Sequence, residues 1–253
     1  MVASRVDAGS TAEAAMRKEY FDYPDGDLIC EGYVAYEEAA SGRRPGVLVS
    51  HTWAGQGEPE RATAERLAAR GYVGCALDLY GKGVRGRTRE ENARLMQPFM
   101  DDRALLRRRI NAALAALQAH PAVDPERTAA VGYCFGGLCV LDLARSAPRG
   151  LRGVVSIHGM LHAPKLEPKA RIGAKVLILH GYDDPLAPPE HVLAVARELT
   201  EAGADWQLHA YGGTMHAFTN PAANAPEQGL KYNEAAARRA WIALTTFLEE
   251  ALA

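Results

Sequence analysis

The sequence predicts an α/β fold, with a mostly parallel central sheet and helices on both faces. Three observations carry this. Two alternating runs flank Asp25-Gly26, a hairpin turn signal, so the chain opens antiparallel. From Gly46 onward, short continuous apolar runs alternate strictly with segments of helical periodicity. That is the pattern of strands buried on both faces and joined by crossover helices. At Gly132-Tyr133-Cys134-Phe135-Gly136-Gly137, a strand runs straight into a helix through a glycine-framed turn.

In chain order, residues 28–36 alternate and form the second hairpin strand, and residues 41–45 are a turn. Residues 46–50 are a buried strand, 58–70 a helix stopped by Gly71, and 72–79 the next strand. Residues 88–120 hold one or two helices, interrupted near Pro98, with Asp101 and Asp102 as starters of the second. Strand 128–132 and helix 138–144 flank the glycine-framed turn, and a strand at 151–156 follows. A loop with Pro164 and Pro168 leads to strand 174–179, helix 189–202, strand 205–211 and a terminal helix over 232–253.

At 253 residues with 48% hydrophobic content, the chain can bury one large core without a second domain. Residues 1–18 are expected to be a flexible tail and residues 19–253 a single domain. The first 16 residues are polar and small, with no apolar centre, so they do not read as a signal peptide. No apolar run approaches the roughly 18 residues of a membrane span. The formal net charge of −2 gives no footprint for nucleic acid. Arg103, Arg107, Arg108 and Arg109 read as a solvated helix face. Cys30, Cys75, Cys134 and Cys139 have no framework spacing, so reduced thiols and a cytoplasmic location are expected. No H-E-x-x-H spacing occurs, and neither a metal nor a cofactor is expected.

Cys134 occupies the centre of a G-x-C-x-G-G pattern, the nucleophile-elbow arrangement with cysteine in place of the usual serine. The turn projects its side chain at the top of a sheet. It also sets the sulfur at a helix N-terminus, where partial positive charge favours thiolate. No serine has an equivalent frame: Ser156 ends a strand-like run without flanking glycines, and Ser50 reads as a strand end. A cysteine nucleophile needs a base, and the base an orienting acid. Both belong in loops at the carboxyl ends of later strands. The loops after residues 179 and 211 hold His180-Gly181-Tyr182-Asp183-Asp184-Pro185 and Gly212-Gly213-Thr214-Met215-His216-Ala217-Phe218. Of eight histidines, only His216 has the right loop and order. Topology does not separate Asp183 from Asp184.

With these motifs, the chain over about residues 20–250 resembles the dienelactone hydrolase family of α/β hydrolases. The resemblance rests on the cysteine elbow, on Leu77-Asp78-Leu79-Tyr80-Gly81, on the His180–Pro185 loop and on Met215-His216-Ala217-Phe218. It implies an α/β-hydrolase fold and an ester or lactone substrate. It selects Asp184 as the acid, from the position before Pro185. It assigns the oxyanion hole to the backbone N–H groups of Phe135 and Trp53. The family also carries a glutamate that helps activate the cysteine, where this chain has Thr52; Glu58 is a nearby substitute. Its two substrate-binding arginines match Lys82 and Asn220, which puts the dienelactone substrate itself in question. Thr52, Tyr80, Lys82, His158 and Asn220 are the expected substrate-lining residues.

Two other classes compete. Gly81-Lys82-Gly83-Val84-Arg85-Gly86 fits a dinucleotide fingerprint, but the second strand that motif requires reads as helix here. A non-catalytic hydrolase fold, acting as a binding or thiol-redox protein, is the alternative that Thr52 supports. An intact Cys134, His216 and Asp184 set argues against it. The expected partner is a small ester or lactone; oligomeric state is not legible.

Overall fold

Ten strands and six helices are built from the residues that the computed structural model describes: 15–38, 42–164, 166 and 171–253. The strands are β1 (Met16–Asp25), β2 (Leu28–Glu37), β3 (Arg44–Ser50), β4 (Val73–Ala76), β5 (Val123–Tyr133), β6 (Leu151–Ile157), β7 (Lys175–Gly181), β8 (Trp206–Tyr211), β9 (Asn224–Ala225) and β10 (Leu230–Lys231). The helices are α1 (Glu58–Ala68), α2 (Arg89–Asp101), α3 (Arg103–Ala119), α4 (Phe135–Arg145), α5 (Pro189–Glu201) and α6 (Glu234–Ala251). Eight strands form one sheet in the order β1-β2-β4-β3-β5-β6-β7-β8. The β1–β2 and β2–β4 pairs are antiparallel and the rest parallel. This is the α/β-hydrolase arrangement, with β5 near the centre. β9 and β10 pair separately in the excursion after β8.

The central strands read as continuous apolar runs because both of their faces are covered. On β7, Val176 and Ile178 join one apolar cluster while Leu177 and Leu179 join the other. β3 divides in the same way, Leu48 to one side and Val47 and Val49 to the opposite side. Helices α2 to α5 supply the first cluster through Phe99, Leu106, Leu138 and Leu199. Helices α1 and α6 supply the second through Leu67, Leu244 and Phe247. Each such fully buried side chain contributes about 1.5–3 kcal/mol relative to exposure, so cutting Leu177 or Leu244 to alanine would loosen a whole face.

Several expectations are corrected. β1 already begins at Met16, so residues 16–18 are strand, not tail; residues 1–14 and the turn residue Ser41 lie outside the described residues, as does Pro168. β4 ends at Ala76, because the next residues turn around the buried Asp78 carboxylate. Asp78 Oδ1 accepts from Tyr80 N (2.9 Å) and Gly81 N (3.2 Å), and Oδ2 from Glu31 N (3.2 Å). Pro98 lies inside α2 rather than interrupting it, and α3 starts from Asp102, one of the two expected starters. Asp102 caps α3 by accepting from the N–H groups of Ala104 and Leu105, both at 2.9 Å. The arginine-rich helix face is not solvated: Arg103, Arg107 and Arg109 are buried. Arg103 pairs with the buried Asp142 at 2.7 Å, and Arg109 pairs with Asp25 while donating to Leu79 O at 2.6 Å. Only Arg108 stays in solvent.

Candidate active site

Strand β5 ends at Tyr133, and Cys134 is the N-cap of α4 in the left-handed region, at φ 54° and ψ −118°. Few non-glycine residues adopt such φ values, and those that do cluster at functional turns. The flanking glycines are sterically required. A Cβ on Gly132 would lie 2.0 Å from Gly136 O, and one on Gly136 would lie 2.4 Å from Ser50 O. The half-buried Cys134 side chain thus faces outward from the sheet while its backbone is locked between β3 and α4. The other three cysteines are buried, and burial pushes the Cys139 thiol well above its ordinary range.

Asp184 follows β7 and His216 follows β8, so both loops reach the carboxyl end of the sheet beside the elbow. His216 Nδ1 lies 2.7 Å from Asp184 Oδ2, and both side chains are almost fully buried. Asp184 Oδ1 accepts from Leu186 N at 2.8 Å, which fixes the carboxylate plane. Asp183 is exposed and faces away. The His216 loop is strapped by His216 N to Gly229 O (2.9 Å) and Lys231 N to His216 O (3.1 Å). His216 Nε2 is buried with no hydrogen-bond partner among the described residues. Burial opposes charge on this imidazole, but negative charge on the Cys134 sulfur, then the Asp184 hydrogen bond, outweigh it and raise its pKa to about 10. The His216 ring is joined to the elbow through His158, whose ring centroid lies 5.1 Å from that of His216 and whose Nδ1 lies 3.1 Å from Cys134 N.

Phe135 opens α4, so its N–H is one of the helix-start donors left without an intrahelical acceptor. Trp53 lies in the loop after β3, which is held from four sides. His51 Nδ1 donates to Thr52 O at 2.6 Å, and His51 Nε2 accepts from Leu79 N at 3.1 Å. Tyr80 Oη donates to Trp53 O at 3.0 Å, and Glu60 Oε1 accepts from Thr52 N at 3.4 Å. Glu60 is the buried carboxylate that sequence reasoning missed. Its other oxygen accepts from Gly57 N at 2.8 Å, the capping contact three residues before it. That spacing was the signal for it. Glu58, the expected substitute, is exposed and paired with Arg61 at 3.0 Å.

The expected substrate-lining residues divide. Thr52 is half-buried in the loop beside Trp53. Tyr80 is buried against His51 and Phe135, with ring centroids 4.7 and 6.4 Å away, and its hydroxyl is spent on Trp53 O. Lys82 is not free: Nζ pairs with Asp22 at 2.7 Å and Glu31 at 3.5 Å on the hairpin. Asn220 is exposed, and its Oδ1 accepts from Ala222 N at 3.0 Å within its own turn. His158 is buried beneath the elbow rather than lining a pocket. Its Nδ1 lies 3.1 Å from Cys134 N and its Nε2 lies 2.8 Å from Thr219 Oγ1. Two cations reach the loop after β3: Arg89, with its guanidinium 6.0 Å from the Trp53 ring centroid and donating to Gln228 Oε1, and Arg85, donating to Gln56 O. Nothing in the sequence context of Arg89 marks it.

A cleft of about 480 Å³ lined by Tyr20, Glu31, Gln56, Gly57, Arg61, Gly83 and Arg85 contains no residue of the Cys134–His216–Asp184 set. Among the described residues no group of three or more His, Cys, Asp or Glu side chains is arranged to hold a metal ion, and no helix is long and apolar enough to cross a membrane.

Comparison with known proteins agrees with this architecture. A sequence model of the "Dienelactone hydrolase family" matches residues 30–252. The solved structure of m3DLH is 38% identical, with a TM-score of 0.89 over 94% of this chain and 100% of that one. A dienelactone hydrolase-like promiscuous phosphotriesterase from metagenomic libraries is 37% identical, also with a TM-score of 0.89 and the same coverage of 94% and 100%. A Bradyrhizobium protein named "Probable 2-oxo-3-(5-oxofuran-2-ylidene)propanoate lactonase" is 26% identical over 87% of this chain and 90% of its own length.

Proposed function

Because this chain belongs to the dienelactone hydrolase family, we propose that it hydrolyses a small ester or lactone through Cys134, His216 and Asp184. The observation that carries the reading is the buried Asp184–His216 pair, whose remaining nitrogen has no partner among the described residues and whose ring is linked to the elbow through His158. A thiol-redox or purely binding protein has no use for a carboxylate 2.7 Å behind an imidazole.

The Cys134 sulfur attacks the substrate carbonyl as a thiolate, its proton residing on His216 Nε2. The carbonyl π pair moves onto oxygen, and the amides of Phe135 and Trp53 donate to the oxyanion. Collapse breaks the carbon–oxygen bond and forms a thioester. His216 gives its proton to the departing alkoxide, which stays tethered when the substrate is a lactone. Water then attacks the thioester as the now neutral His216 takes its proton. The second tetrahedral species expels the sulfur and releases the acid. Asp184 holds Nδ1 protonated throughout, so Nε2 is the nitrogen that exchanges protons. The reaction needs no cofactor, and we place it in one domain over residues 16–253. Free thiols at all four cysteines fit a reducing compartment such as the cytoplasm.

The test is a stopped-flow burst on p-nitrophenyl acetate with mass analysis of the quenched enzyme. A burst of one equivalent and an acetyl adduct on the Cys134 peptide are expected, both absent from Cys134→Ala. Wild-type turnover by Cys134→Ala would overturn the assignment.

A further inference from the structure

We propose that His158 is a positioning residue, a neutral imidazole strut that fixes the distance between the nucleophile elbow and the histidine loop. It rests on the catalytic reading above. His158 follows β6 and is buried, with its backbone in the left-handed region at φ 38°. Its N–H bonds Leu179 O at 2.8 Å, so the backbone is tied to β7. Such a conformation persists in a non-glycine residue only where the surroundings over-determine it.

The ring contacts assign its tautomer. Cys134 N can only donate, so His158 Nδ1, 3.1 Å away, is the acceptor. The proton therefore sits on Nε2, which donates to Thr219 Oγ1 at 2.8 Å. The Cys134 N–H is shared, since Ile157 O also lies 3.1 Å from it. The imidazole thus holds one of the two acceptors, at equal distance, that fix this N–H. At its other edge the ring meets His216 edge-on at 65°, with centroids 5.1 Å apart, and Phe218 nearly perpendicularly at 5.2 Å. One side chain therefore touches the backbone of the nucleophile, the ring of the base, and Thr219 three residues beyond that base. Burial, then the neighbouring His216, hold its pKa well below the ordinary histidine value, which keeps Nδ1 an acceptor. No substrate atom need contact it: a displaced ring misplaces Sγ relative to His216 Nε2, and misplacements of about 1 Å are costly in catalysis.

Three variants test this. His158→Leu keeps bulk but has no acceptor. His158→Asn restores an acceptor oxygen at the Nδ1 position and tolerates left-handed backbone. Thr219→Val removes the Nε2–H acceptor without touching the elbow. Each is measured for kcat and KM on p-nitrophenyl acetate, for Cys134 alkylation by iodoacetamide at neutral pH, and for Tm. His158→Leu should lower kcat about ten-fold, the scale of one buried hydrogen bond, with KM within about two-fold and slower alkylation. His158→Asn should recover most of that loss, and Thr219→Val should fall between, at near wild-type Tm. Equal impairment of His158→Leu and His158→Asn would reduce the ring to packing and overturn the proposal, as would wild-type kcat and alkylation in His158→Leu. If His158→Leu does not fold, Thr219→Val decides alone, and wild-type kcat and alkylation there would overturn it. Absence of any esterase turnover in the wild-type enzyme would instead defeat the catalytic reading, leaving the alkylation rates to judge the strut.

Discussion

Asp184→Asn should be the most damaging isosteric change in the protein. Asp184 Oδ1 is committed to Leu186 N at 2.8 Å, so an asparagine keeps its oxygen there and turns its NH₂ toward His216 Nδ1. That nitrogen must then accept, and the imidazole proton moves to Nε2, the atom that should take a proton from thiol or water. The electrostatic loss adds to the tautomer fault. A carboxylate and an imidazolium with centres about 4 Å apart interact by about 4 kcal/mol at an effective dielectric of about 20. Losing that where imidazolium must form corresponds to about a thousand-fold in rate. The neighbouring Asp183 is exposed and solvent-screened, so Asp183→Asn should cost less than about three-fold. The assay is kcat on a chromogenic ester for both variants, with circular dichroism and Tm to establish folding. Retention of more than about a tenth of wild-type kcat by folded Asp184→Asn, or a larger loss in Asp183→Asn, would refute this reasoning.

The remaining expectations follow from the same geometry. Iodoacetamide should label Cys134 and leave the buried Cys139 unmodified in native enzyme, read by peptide mass mapping; equal labelling would contradict the burial argument. His216 has a folded pKa raised from 6.5 to about 10, so the stability it contributes is complete below about pH 6.5 and lost as pH rises through about 10. The wild-type Tm should therefore drop relative to that of His216→Ala across this window, and parallel curves would show that the imidazolium is not stabilised. Lys82→Ala should leave KM unchanged for neutral and carboxylate-bearing esters alike, because Lys82 is already paired with Asp22 and Glu31. A selective rise in KM for the charged substrates would show that this pairing opens during binding.

Much of this was legible in the sequence because local pattern and chain order decide it. Continuous apolar runs named the buried strands, and the glycines around Cys134 named the elbow, since no side chain fits at Gly132 or Gly136. Chain order alone took His216 to the base position. What was not legible depends on contacts distant in sequence. Nothing local says that Lys82 will meet Asp22, sixty residues earlier, or that Arg109 will bury itself against Asp25. Charge runs look solvated until a partner carboxylate is known, and the partners of Arg103 and Arg109, Asp142 and Asp25, lie far away in the chain. Glu60 escaped notice because its role is to cap α1 and hold a loop, work that requires no catalytic motif. His158 follows a strand at the carboxyl side, but only its contacts with Cys134 N and Thr219 Oγ1 show that its ring lies against the elbow.

The glycine frame has a consequence for descent. The height and direction of the side chain at position 134 are set by atoms missing from Gly132 and Gly136, not by anything the sulfur itself contacts. Exchange of the nucleophile is therefore decoupled from maintenance of the scaffold: a lineage can trade thiol for hydroxyl through one codon while the backbone around it stays as it was. A change at either glycine is different in kind, since a Cβ on Gly132 would push α4 from β5 and one on Gly136 would push it from β3, carrying the nucleophile and the Phe135 amide with it. The reactive atom is thus among the more replaceable parts of the site, and the featureless residues beside it are among the least.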